Sequence, residues 1–300
     1  MIGGSIMTLR HLTIFIFVCD EGSMTRAADK LHMAQPSVSQ VISELEKHYN
    51  VRLFERLGRQ LFLTVAGEKL LTYARHIVNL NNQTEEAMRQ FGNTYHVRLG
   101  ASVTIGECVL IDLLKELYKF YPENQITSVI HNTAVLEKML LTDELDIALI
   151  EGRVQSEFLI TSPFMDDELI FIAKKDHPLA KQAKISFADL ENVDFFVREE
   201  GSGTRNLFEQ VMASHNIHCH IIGTYNNAET IKKAVGTGMG ITVISKLAVR
   251  SELQSGALCQ LQVDELVFKR KFHIVYHKNK YISEALKTII NFCQLMTGVE

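Results

Sequence analysis

Near residue 94 the hydrophobic period of this chain changes. Before that point apolar residues recur three and four apart, the spacing of helices that bury one face. From Tyr95 onward short strand-length runs alternate with helical ones. The strand candidates are His96 to Val103, Gln125 to Ile130, Leu145 to Ile150, Leu169 to Ala173, Phe195 to Arg198, Ile221 to Tyr225, Ile241 to Ser245 and Phe272 to His277. Cys108 to Phe120, Ala134 to Leu141, Thr204 to Ser214 and Glu229 to Val235 read as helices between them. Such alternation predicts an α/β fold, a mostly parallel sheet with ligands at the carboxyl ends of its strands. About 200 residues suit two lobes better than one.

The front segment predicts three short helices. Leu9, Leu12, Phe15, Ile16 and Cys19 line one face of the first, and Glu21-Gly22 stops it. Ser23 caps a second, Met24 to Leu31, whose Ala27-Ala28 centre admits close packing. The third starts with Pro36 at its first position. Val38, Ile42 and Leu45 form its inner stripe, and Ser37, Gln40, Glu44 and Lys47 its polar outer one. Two helices joined by a tight turn, the second polar outside, describe a helix-turn-helix. Val51 to Leu63 then reads as a small hairpin or wing with Arg56 and Arg59 at its tip.

Thr64 is placed to cap a long helix reaching about Phe91, along which Gly67, Leu70, Ala74, Ile77, Asn81, Thr84, Met88 and Phe91 alternate steps of three and four. A heptad seam of this kind implies a partner helix, with Asn81 setting register. The expected division is therefore 1–63 for the helix-turn-helix and its wing, 64–93 for a dimerisation helix and 94–300 for a two-lobed α/β domain. Lobe I would take about 94–164 and 269–300, and lobe II about 165–268.

Composition narrows the classes. The 300 residues are 46% hydrophobic and 22% charged with only 4 Pro, a folded rather than disordered chain. The longest apolar run near the N-terminus, Leu12 to Cys19, falls far short of the ~20 residues that span a bilayer, so no membrane partner is expected. Met1 to Thr8 lacks a secretory pattern, and cytoplasmic residence is the expectation. Five scattered cysteines with no Cys-x-x-Cys signal neither a disulfide framework nor a zinc ribbon. Of 31 basic and 35 acidic residues, 10 and 9 lie in residues 1–93, leaving 21 and 26 behind them, so an acidic rear follows a near-neutral front.

In the rear half the sharpest chemistry is Arg198-Glu199-Glu200-Gly201-Ser202-Gly203-Thr204-Arg205, which follows a strand and opens a helix. Glycines let successive amides converge, Ser202 and Thr204 add hydroxyls, and the helix start is electropositive, which together make an anion nest. Arg205 is a candidate to complete it, although Glu199 and Glu200 compete for the guanidinium. Across the expected cleft, Ser102, Val103 and Thr104 follow the first strand. Asn132-Thr133, Glu151 and Asn226-Asn227 are weaker candidates that also suit turns or caps.

Other signals are set aside. Val235 to Gly240 lacks GxGxxG spacing and follows a helix, the reverse of a dinucleotide site. No regular helix or strand puts His215, His218, Cys219 and His220 on one side, so no metal is expected. No Gly-x-Ser-x-Gly, phosphate loop or His-Glu-x-x-His favours an enzyme, and no cofactor is expected.

The run SMTRAADKLHMAQPSVSQVISELEKHYNVRLFERLGRQLFLTVAGEKLL, Ser23 to Leu71, resembles the N-terminal pattern of LysR-type transcriptional regulators. The resemblance extends over the chain and implies a winged helix-turn-helix, a dimerising linker helix and an effector domain similar to periplasmic binding proteins. It places Gln35, Pro36, Ser37, Ser39 and Gln40 at the major groove of double-stranded DNA, with Arg26, Arg56 and Arg59 on the phosphate backbone or in the minor groove. Residues 1–6 precede the usual family start, and Ala34 stands where a capping hydroxyl is frequent. The Gly-Ser-Gly-Thr-Arg run looks like that of a branch controlling sulfur assimilation or carbon fixation through small anionic effectors. A homodimer or homotetramer on an interrupted near-palindrome is implied, with RNA polymerase as a partner if the protein activates. A solute-binding module with an accessory front domain is the alternative, followed by an enzyme.

Overall fold

A computed structural model describes residues 7–57, 60–89, 96–120, 125–263 and 268–295. Its contacts divide the chain into one unit of residues 1–93 with 279–281 and another of 94–278 with 282–300.

In the first unit, α1 (Leu9–Glu21), α2 (Met24–Lys30) and α3 (Gln35–Tyr49) precede a hairpin of β1 (Phe54–Leu57) and β2 (Gln60–Leu63), and α4 (Val65–Arg89) follows. Leu12, Phe15, Val18, Val38, Ile42 and Leu45 are buried together, each burial worth about 1.5–3 kcal/mol. Gly22 ends α1 at φ 58°, a left-handed value that favours glycine. The Ser23 hydroxyl accepts from the Arg26 amide, whereas Ala34 supplies no side-chain cap to α3. Pro36 is the second rather than the first residue of α3, because the helix begins at Gln35. Glu46 Oε1 accepts from the Leu53 and Phe54 amides at 2.8 and 3.2 Å, tying α3 to the base of the hairpin.

The predicted seam of α4 divides in two. Gly67 and Ala74 are buried and Leu70 half-buried against this unit's own core. A Cβ on Gly67 would collide with the Leu53 carbonyl, so that glycine serves the hairpin. Ala74 at 0% exposure has no surface left for a partner helix, which corrects its assignment to a dimer seam. Ile77, Asn81, Thr84 and Met88 are exposed, and Phe91 lies outside the described residues.

The second unit holds one seven-stranded sheet in the order β10-β6-β11-β5-β3-β4, with β9 also on β6. These strands are β3 (His96–Ala101), β4 (Gln125–Ile130), β5 (Ile147–Glu151), β6 (Leu159–Lys174), β9 (Thr242–Ser245), β10 (Leu258–Gln260) and β11 (Phe268–His277). Strands β7 (Asp194–Arg198) and β8 (His220–Tyr225) pair separately. Among the described strand pairs of this unit, β4-β3-β5 and β7-β8 are parallel and the others antiparallel, with isolated parallel bridges at Ile185–Val263 and Phe195–Ile241. The expected mostly parallel sheet is thus a mixed one. The physical reason is β6, whose 16 residues extend ~50 Å and serve two cores. Phe164 and Phe272 pack in one core with Leu99, Leu113 and Ile147. Leu169, Phe171 and Phe268 pack in the other with Phe195 and Phe208. We call the regions around these cores lobes I and II.

Helices α5 (Val103–Cys108), α6 (Leu110–Phe120) and α7 (Thr133–Leu141) belong to lobe I. Helices α8 (Gly203–Ser214), α9 (Ala228–Gly236) and α10 (Arg250–Ser255) belong to lobe II, and α11 (Glu284–Leu295) returns to lobe I. Among the described residues no helix is long and apolar enough to cross a membrane.

Candidate functional site

The outer face of α3 leaves Pro36, Ser37 and Gln40 exposed and Gln35 and Ser39 half-buried. Gln40 is engaged within its own helix, donating from Nε2 to Glu44 Oε1 at 2.9 Å. That amide, and then the His11 ring at 3.2 Å, hold the Glu44 carboxyl below its ordinary pKa. Arg26 is exposed and donates to the Glu21 carbonyl at the end of α1. Arg56 lies on β1 opposite Leu61, and Arg59 lies outside the described residues.

The second constellation forms where β3, β5, β6 and β11 meet the start of α8. Ser102 is fully buried, and its Oγ accepts from the Glu151 amide at 3.1 Å. Thr133 Oγ1 donates to the Glu151 carbonyl at 2.9 Å. Val103 and Thr104 are buried in the first turn of α5. Gly203 packs so closely on Glu151 that a Cβ would collide with its carbonyl oxygen, which is why a glycine stands there. Gly201 adopts φ +82°, a value open to glycine, and its carbonyl accepts from the Ala134 amide at 3.2 Å. Asn132 caps α7 through Oδ1 and donates from Nδ2 to the Glu200 carbonyl at 3.1 Å. Lobe I therefore grips the 200–204 turn of lobe II.

Beneath that turn lies a buried ionic cluster. Arg270 Nε donates to Asp167 Oδ2 at 2.6 Å, and its Nη1 to Thr204 Oγ1 at 2.9 Å. Thr204 in turn donates to Glu151 Oε1 at 3.5 Å, and Ser245 Oγ to Asp167 Oδ1 at 2.6 Å. Three polar atoms at this corner are buried without a hydrogen-bond partner: Ser202 Oγ, Glu151 Oε2 and Arg270 Nη2. Ser202 is the N-cap of α8 yet makes no side-chain cap bond.

Two candidates sit elsewhere. Arg205 donates from Nε to Glu209 Oε1 at 2.6 Å, one turn along α8, and from Nη1 to the Arg198 carbonyl at 3.3 Å. Glu199 pairs with Arg198 instead, at 2.8 and 3.0 Å. Asn226 is exposed and accepts from Asn227, which caps α9. Sequence reasoning missed Asp167 and, at the centre of the cluster, Arg270. Its signal is period-two burial along Phe268, Arg270 and Phe272, a charge on the apolar face of a strand.

The His215 to His220 segment disperses. His215 stacks on Phe187 at 3.7 Å, His218 faces Glu191 at 3.3 Å and His220 faces Asp194 at 2.6 Å. Burial pushes the Cys219 thiol up to about 11, away from the thiolate a metal needs. Among the described residues no group of His, Cys, Asp and Glu is arranged to hold a metal ion.

Residues 9–68 match the family described as bacterial regulatory helix-turn-helix protein, lysR family, and residues 92–296 match the LysR substrate binding domain. The chain is 34% identical over 269 residues to the HTH-type transcriptional regulator CysL of Bacillus subtilis, covering 88% of this chain and 89% of that protein. It is 32% identical over 289 residues to the HTH-type transcriptional activator CmpR of Synechocystis, covering 95% and 94%. Among solved structures, the Synechocystis CcmR regulatory domain in complex with 2-PG is similar at TM-score 0.64 and 28% identity, covering 68% of this chain and 97% of that one. A full-length OxyR from Pseudomonas aeruginosa, at TM-score 0.67 and 24% identity over 97% and 96% of the two chains, shares the fold. These relatives are named as regulators, not enzymes, and the matched front domain is a regulatory one rather than an accessory to a solute binder. The chain belongs to the LysR family of transcriptional regulators, with a helix-turn-helix domain ahead of an effector-binding domain.

Proposed function

We propose that this regulator acts in the cytoplasm as a dimer or tetramer on an interrupted near-palindrome and responds to a small anionic effector held at the start of α8. The observation that carries the effector reading is the Ser202 hydroxyl, buried, unpartnered and standing at a helix N-terminus between two lobes. Amides at the start of α8 and the Ser202 hydroxyl form the receiving surface, Thr204 holds Arg270 and Glu151 beside it, and Ser102, Val103, Thr104, Asn132 and Thr133 close it from lobe I. The CcmR regulatory domain in its 2-PG complex supports a small ligand for this fold.

Gln35, Ser37, Ser39 and Gln40 read bases, with Pro36 setting the first turn of α3. Arg26, Arg56 and Arg59 neutralise phosphates. The exposed residues Ile77, Asn81 and Met88 support a self-association surface on the distal half of α4. Effector occupancy shifts the packing between subunits, and RNA polymerase is the next partner where the outcome is activation. Only a ligand with unequal affinity for two arrangements does this.

Fluorescence anisotropy with operator DNA tests the reading. Gln35→Ala relaxes specificity at one base position, whereas Arg56→Ala weakens all sequences and flattens the salt dependence by about one unit of slope. Identical binding by both variants and the wild type would refute it.

A further inference from the structure

Arg270 Nη2 and Glu151 Oε2 are 3.7 Å apart, too far for a hydrogen bond and near enough for one oxygen to serve both. Both atoms are buried and unpartnered, as is Ser202 Oγ. They share one corner, because Thr204, two residues beyond Ser202, is hydrogen bonded to both Glu151 and Arg270. The cluster holds two carboxylates, Glu151 and Asp167, against the single guanidinium of Arg270. A bare anion arriving here gains the guanidinium, the Ser202 hydroxyl and the amides of α8, but it meets the free lone pairs of Glu151. An ionised carboxylate only accepts hydrogen bonds. An anion whose oxygens also only accept leaves Glu151 Oε2 buried, without a hydrogen bond and facing a like charge.

We infer that the effector of this site is an oxyanion carrying its own O–H, such as hydrogen phosphate, a protonated phosphate monoester or a 2-hydroxy acid. Its hydroxyl donates to Glu151 Oε2, while its charged oxygens accept from Arg270 Nη2, Ser202 Oγ and the α8 amides. Sulfate, of nearly the same size and shape but without a proton at neutral pH, is the anion this arrangement rejects. The inference rests on the effector reading above and adds the chemical class.

Inorganic phosphate and sulfate are the probes, titrated into the full-length protein at pH 7 and matched ionic strength, with thermal shift and calorimetry as readouts. Phosphate is expected to bind about 100-fold more tightly than sulfate, the scale set by leaving a buried acceptor unpaired. Glu151→Gln offers an amide donor in place of the lone pairs, so sulfate rises and the preference falls below about tenfold. The unliganded melting curve of this variant reports whether it folds, and the wild-type ratio stands as a test without it. Equal binding of the two anions by the wild type, abolished by Thr204→Val, keeps the site and overturns the donor requirement. A phosphate preference untouched by Glu151→Gln also overturns it and leaves a bridging water as the occupant of the corner. Binding of neither anion by wild type or variant overturns both the site and the inference.

Discussion

Gly203 lies against the carbonyl of Glu151 so closely that any Cβ at that position would collide with it, well inside the 3.0 Å that real Cβ contacts respect. Lobe II thus rests on lobe I through a glycine. Gly203→Ala is expected to push the start of α8 off β5, costing about 1–3 kcal/mol. Thermal melting measures the loss, and a phosphate-induced shift should shrink with it. An unchanged melting temperature would show that the two lobes yield at this point.

Arg205 and Thr204 are neighbours with opposite expectations. Arg205 pairs with Glu209 at helical i,i+4 spacing, a contact worth about 0.3–0.5 kcal/mol. Thr204 is 4% exposed and links Arg270 to Glu151. Thr204→Val should abolish anion binding, whereas Arg205→Ala should leave it within about threefold, since so small a pairing energy moves an equilibrium little. The reverse order of effects would return Arg205 to the nest.

Glu107 on α5 accepts from the Ala228 amide at the start of α9, at 3.4 Å. Although the residue is exposed, partial desolvation of its carboxyl raises its pKa, opposed by that amide, Arg198 and Lys232 and assisted by Glu229. An acid whose folded pKa is raised favours folding while protonated, and that advantage is lost as pH climbs from the unfolded value of 4.5 through the folded one. The wild type should therefore lose stability relative to Glu107→Gln as pH rises through that window. Melting curves from pH 4 to pH 7 read the difference, and parallel curves for the two proteins contradict it.

On α4 the contrast is between Ala74 and Ile77. Ala74 is completely buried, so Ala74→Leu should overpack the first unit at a cost of about 1–3 kcal/mol. Ile77 is 42% exposed, and Ile77→Asp should leave stability of the isolated unit within about 0.5 kcal/mol while weakening self-association. Sedimentation of both variants separates the effects. A dimer unaltered by Ile77→Asp removes the distal half of α4 from the interface.

The front helices were legible because their signals are local. Gly22, the Ser23 cap, the Val38, Ile42 and Leu45 stripe and the hairpin before α4 all depend on residues a few positions apart, where backbone sterics and one apolar face suffice. The turn from Gly201 to Thr204 was equally visible, as glycines before a helix. Periodicity says which face is apolar but not what covers it. The α4 seam read as one interface, yet its first half is covered by the chain's own helices. Leu159 to Asp166 carries no buried alternation and becomes a strand only through pairing with β11, more than a hundred residues later. Likewise the order of residues places Thr204 at a helix start, but only the folded sheet brings Glu151, Asp167 and Arg270 beneath it. Those three charges lie on different strands, and no local rule couples them. Their meeting is decided by the antiparallel register of β6 and β11, which long-range packing of two cores sets.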